Sequence, residues 1–163
     1  MANAKQYYVN ATSYAATYQK LAAQSKSTTS NDPQHQRETA AALSGFSYNI
    51  LGFQTALAEL GADEGLANYD RTNDLETLLK NVVNVNKGVL TTTSVLVDDI
   101  PVLGPILGPT VYDIKCVLDE ILDTCENLTD ATINALQPLL KTVIGQATTA
   151  ACHSGVEVAG LCI

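Results

Sequence analysis

Nucleophile-type residues come together at one place in the chain, Cys152-His153-Ser154. Sequence neighbours point to different sides of a helix, and a thiol held in a disulfide is no nucleophile, so this cluster predicts no catalytic device. The other histidine, His35, reads as a surface residue at the polar start of a helix. Asp98-Asp99 could form a carboxylate pair for acid–base work, but a helix end and a cap are the plainer reading. Asp113, Asp119, Glu120, Asp123, Glu126 and Asp130 crowd one side of a helix and the turn after it. Their order lacks the D-x-[DN]-x-[DN]-G calcium loop, so they read as a solvated acidic face with no metal. No G-x-S-x-G, H-E-x-x-H, P-loop or dinucleotide fingerprint occurs. These residues predict a protein that is not an enzyme and takes no cofactor.

The four cysteines are Cys116, Cys125, Cys152 and Cys162. Their spacing is not CxxC, which leaves two disulfides in an oxidising compartment as the expectation. Cys116 and Cys125 are separated by about 13.5 Å of rise if they share one helix, too far to pair with each other. Pinning the C-terminal segment back onto the fourth helix through Cys152 and Cys162, or closing a local Cys152–Cys162 loop, both stay open. Two N-x-[ST] sequons, at Asn10 and Asn127, are candidate glycosylation sites.

Composition supports a secreted reading. Of 163 residues 46% are apolar but only 16% charged, below the quarter or so of an ordinary globular chain. Serine, threonine and amide side chains must wet the surface instead. Nine Lys+Arg against seventeen Asp+Glu give a net charge of -8, which repels phosphate backbones and excludes a nucleic-acid partner. The N-terminal residues lack the apolar region of a signal peptide, so the expectation is a processed chain with Met1 as an expression start. The longest uncharged run, Thr39 to Ala58, is too polar for a membrane span.

Those residues must be positioned by helices. Tyr7, Ala11, Tyr14, Tyr18 and Leu21 recur at helical intervals over about Ala4 to Gln24, an aromatic stripe expected to pack in a core with its hydroxyls at the rim. Asp32-Pro33 is a cap and first-turn pair for a second helix carrying Leu43, Phe46, Ile50, Phe53 and Leu57. Gly45 and Gly52 inside it weaken the helix by about 1 kcal/mol each, which suggests close approach by a neighbour. A third helix after Asn73 carries Leu75, Leu78, Leu79, Val82, Val85, Val89 and Leu90, with a β-branched tail, Thr91 to Val97, expected to end early.

Next comes the segment Ile100-Pro101-Val102-Leu103-Gly104-Pro105-Ile106-Leu107-Gly108-Pro109, uncharged through Tyr112. Its prolines predict an apolar loop that breaks both helix and strand, with Pro109 opening a fourth helix. A fifth follows Asp130, with Pro138 kinking it or marking its first turn. The fold expected is all-α: one domain over 1–163, a bundle of four to five helices with a Pro/Gly apolar loop and two disulfides. Its half at about 1–80 is polar, and its half at about 81–163 is apolar and holds the cysteines.

The Ser/Thr/Ala-rich first half, the Ile100–Pro109 segment, Thr110-Val111-Tyr112-Asp113-Ile114-Lys115-Cys116, Asn134-Ala135-Leu136-Gln137-Pro138-Leu139-Leu140 and the closing Gly160-Leu161-Cys162-Ile163 are together suggestive. The chain resembles small secreted proteins of filamentous, mushroom-forming fungi that work at hyphal walls and hydrophobic surfaces. It is similar, more loosely, to fungal hydrophobic-surface-binding and wall mannoprotein domains, which are lipid-binding helical bundles. Four cysteines without an adjacent pair depart from the eight-cysteine hydrophobin pattern.

The resemblance implies an extracellular, wall-associated glycoprotein with no catalytic residues. Its partners would be a hydrophobic surface, a wall polymer or a lipid, with self-association compatible. Ile100, Val102, Leu103, Ile106 and Leu107 are the expected contact residues, and aspartate at Val102 or Leu103 should weaken adsorption without unfolding. A lipid carrier with a cavity between helices is the alternative; an inhibitor or interaction module ranks third.

Overall fold

The computed structural model describes residues 1–25, 32–62, 72–126 and 130–155, with the side chains at 62, 72–73, 125–126 and 130–135 left aside. Five helices account for these residues: α1 (Ala2–Gln24), α2 (Pro33–Ala62), α3 (Thr72–Asp99), α4 (Gly104–Glu126) and α5 (Asp130–His153). No strand occurs among the described residues.

Asp32 starts α2 as its sequence predicts: its Oδ1 accepts the Gln34 backbone N–H at 3.0 Å and its carbonyl accepts that of Gln36. The tail of α3 does not end early. Thr92 and Thr93 donate their hydroxyls to the carbonyls of Gly88 and Val89, four residues back, at 2.9 Å. The same i−4 bond recurs at Thr12, Thr17, Thr39, Thr55, Thr124, Thr142, Thr148 and Thr149. Helices this poor in charge thus satisfy their hydroxyls on their own backbone.

Each helix packs beside two others in the cyclic order α1, α2, α4, α5, α3. Directions alternate along the chain. Tyr7 lies against Gly52 and Tyr14 against Gly45, which makes α1 and α2 antiparallel. Lys5 pairs with Asp74 at 3.7 Å and the Tyr18 hydroxyl meets Thr93 Oγ1 at 2.8 Å, which makes α1 and α3 parallel. Inside the ring lie Tyr18, Phe46, Phe53, Leu90, Leu107 and Ile114, all fully buried. The expected apolar face of α2, Leu43 through Leu57, is entirely core.

The expected core stripe of α1 divides. Tyr18 is core, Tyr7 half-buried and Tyr14 exposed, because the narrow strip facing the ring centre is taken by Ala4, Ala11 and Ala15. Two polar residues seven apart on α3, Asn86 and Thr93, are fully buried. The Asn86 amide donates to the Val82 carbonyl at 2.8 Å, while its Oδ1 has no protein partner.

Candidate functional site

Ile100–Pro109 is not a loop. Ile100 alone separates α3 from a one-turn 3-10 helix, Pro101–Leu103, which runs directly into α4. Pro101 forces Ile100 out of helical geometry (φ -136, ψ 79), while the Ile100 N–H still closes α3 on the Leu96 carbonyl at 2.8 Å. Pro105 falls in the first turn of α4, where a missing N–H costs nothing. Pro109 is inside the helix rather than at its start.

The physical reason is the period of the segment. Pro-Val-Leu-Gly at 101–104 and Pro-Ile-Leu-Gly at 105–108 repeat every four residues, close to the 3.6 of a helix. Leucine and glycine therefore return to the inside, and proline with a β-branched partner returns to the outside. Leu103 and Leu107 are 1% and 0% exposed, and Ile100 is also buried. Val102 and Ile106 are 51% and 41% exposed, flanked by exposed Pro101, Pro105 and Pro109.

Thus the five expected contact residues divide. Val102 and Ile106 face solvent; Ile100, Leu103 and Leu107 are core and no part of a contact surface. The expectation that Leu103→Asp would leave the fold intact is corrected with them, since a carboxylate at a fully buried site costs several kcal/mol. Pro101, Pro105 and Pro109 join the outer face, although the sequence presents them first as helix breakers.

The ridge sits at the end of the bundle where α1, α3 and α5 finish and α2 and α4 begin. Gly104 is packed tightly there: a Cβ at this position would lie 3.3 Å from the Ser154 backbone. The α5 terminus is fixed by Gly155 at φ 80, with its N–H on the Cys152 carbonyl at 2.9 Å. His153 Nδ1 approaches Asp98 at 3.6 Å across α5 and α3. Ser154 Oγ donates to the Ala150 carbonyl at 2.7 Å. His153 and Ser154 are thus engaged with different partners. His35 is less superficial than expected, half-buried with Nε2 2.6 Å from Ser25 Oγ, which itself donates to the Leu21 carbonyl.

Cys116, half-buried on α4, is a free thiol, which corrects its assignment to a disulfide. α4 runs unbroken through both Cys116 and Cys125, so the separation along one helix holds. A bond with Cys116 is the first cause that pushes the Tyr112 phenol above its ordinary range, followed by Coulomb repulsion between the two groups' anionic forms. The side chain of Cys125, and Cys162 and Asn127, lie outside the described residues. Asn10 is half-buried in the middle of α1, its Oδ1 accepting from Gln6 Nε2 at 3.1 Å.

On the acidic side of α4, Asp119 pairs with Lys115, whose ammonium that contact holds above its usual range. Among the described residues no three His, Cys, Asp or Glu side chains are grouped to hold a metal ion. None of the described helices is long and apolar enough to cross a membrane. An open groove of about 520 Å³ runs between α3 and α5, lined by Leu90, Ser94, Val95, Asp98, Thr142 and Gln146 among others. The Gln146 Oε1 is buried without a protein partner.

Set against family models, curated proteins and solved structures, the chain matches none.

Proposed function

We propose that this is a secreted, non-enzymatic amphiphilic protein that adsorbs to hydrophobic interfaces, such as those of a hyphal wall. The observation that carries the reading is the outward half of the four-residue repeat: Pro101, Val102, Pro105, Ile106 and Pro109 on one uncharged face. Burying an exposed Val or Ile side chain is worth about 1.5–3 kcal/mol in full. Val102 and Ile106, already half covered, would together contribute about 2–3 kcal/mol, with the prolines adding to it. The prolines also stiffen the ridge, so little conformational entropy opposes adsorption.

Secretion rests on the hydroxyl-rich composition and the cysteines. With Cys116 free, the remaining three cysteines can close at most one disulfide within the chain. Glycosylation at Asn10 and Asn127 belongs to the same reading. Adsorption isotherms on alkyl-coated beads test it: Ile106→Asp should bind several-fold less than wild type at unchanged helicity, and equal binding would remove the ridge from the mechanism.

A lipid-carrier reading draws on the α3–α5 groove. Its lining sets apolar Leu90 and Val95 beside Ser94, Asp98, Thr142 and Gln146, and the groove is open to solvent rather than enclosed, so this reading ranks second.

A further inference from the structure

Tyr7 and Tyr14 are seven residues apart on α1, and Gly45 and Gly52 are seven apart on α2. The antiparallel pairing sets each ring against one glycine. A Cβ added at Gly45 would lie 2.3, 2.5 and 2.8 Å from Cε1, Cδ1 and Cζ of Tyr14; one at Gly52 would lie 2.3, 2.5 and 2.7 Å from the same atoms of Tyr7. The two rings therefore repeat one pose, spaced by two helical turns, about 10.5 Å. Tyr48, three residues from Gly45 and four from Gly52, is 69% exposed, and helix periodicity puts it beside both glycines on the outer side of α2. Three phenols thus share the outer seam of α1 and α2.

The chemistry around them is neutral. Gln6 to Gln19 and Thr39 to Ala58 hold no Asp, Glu, Lys or Arg, in a chain of net charge -8. Asn10, one turn from each α1 tyrosine, and exposed Ser44 and Thr55 supply amide and hydroxyl groups instead. An ionic partner gains nothing from such a surface. A wholly apolar one would strip water from the phenol hydroxyls and the amide without replacing their hydrogen bonds. A sugar ring answers both needs, since its C–H face stacks on an aromatic ring while its hydroxyls bond at the rim. An extended β-1,4-linked glycan also repeats every two sugars at close to the spacing of the two rings.

We propose that the α1–α2 seam binds a neutral, extended β-1,4-linked polysaccharide, with sugars stacked on Tyr7, Tyr48 and Tyr14. The site is separate from the ridge on α4. The test is depletion of the full chain from solution by insoluble chitin and by cellulose, with starch as the α-linked comparison. Unglycosylated protein keeps a glycan at the Asn10 sequon from occupying the seam. The expected result is depletion by at least one β-1,4 polymer, unchanged at high salt and weaker on starch. Tyr48→Ala, a change at an exposed position, should lower the binding constant about tenfold, and Ile106→Asp should leave it unchanged. No depletion, equal depletion by Tyr48→Ala, loss with Ile106→Asp, or sedimentation showing a dimer that Tyr48→Ala dissociates would overturn the proposal.

Discussion

The Tyr18 hydroxyl meets the Thr93 hydroxyl at 2.8 Å in the centre of the bundle, and this contact joins α1 to α3 where both are fully buried. Burial is the main cause that pushes the Tyr18 phenol up to about 12, against a smaller opposing effect of the Thr93 bond. An unfolded phenol titrates near 10, so the folded state keeps its proton longer. Its contribution is complete below about pH 10 and is lost as the pH rises toward about 12, a total of about 2–3 kcal/mol. Urea unfolding at about pH 9 and about pH 11.5 checks this. The stability difference between wild type and Tyr18→Phe should shift against wild type at the higher pH; a constant difference would mean the phenol is not held protonated.

Gly52→Ala should destabilise despite the better helix propensity of alanine, because the new methyl overlaps the half-buried Tyr7 ring. Overpacking of this kind costs about 1–3 kcal/mol. Gly45→Ala should cost less, since exposed Tyr14 can swing outward. In a Tyr7→Ala background Gly52→Ala should turn stabilising by about 1 kcal/mol. Thermal unfolding of the four members of that cycle reads the coupling directly.

Asn86 carries an unpartnered Oδ1 in the core, at a cost of about 1–3 kcal/mol. Asn86→Leu, which keeps the branching and heavy-atom count of the side chain with somewhat bulkier ends, should raise the denaturation midpoint. A lowered midpoint would show that the amide oxygen is satisfied in solution.

Cys116 should be alkylated by iodoacetamide in the native, unreduced protein, with mass spectrometry placing the label on its peptide. Finding Cys116 in a disulfide-linked peptide would restore the two-disulfide expectation.

How far these relationships were legible depended on whether local chemistry determines them. Asp32-Pro33 and the periodicity from Leu43 to Leu57 announce α2 because a cap and an apolar face are properties of one helix. Ile100–Pro109 reads as a loop from its three prolines, yet it folds as helix because its period of four matches a helix turn. Two of the three prolines fall in first turns, where their missing N–H is harmless. The Tyr/Gly seam was half visible: equal spacings of seven on both helices are in the sequence, but their meeting depends on which helices pair and in what register. Thr91 to Val97 looked too β-branched for a helix end, and packing of Leu96 and Val97 overrode that propensity.

Surface pressure at an air–water interface tests the central claim most directly, comparing wild type with the Val102→Asp/Ile106→Asp double variant at equal concentration. Both positions are half exposed, so circular dichroism should find the two proteins equally helical. The prediction is a prompt pressure rise for wild type and a delayed, smaller one for the variant. Indistinguishable curves from two folded proteins would contradict the assignment of the α4 ridge as the adsorbing surface.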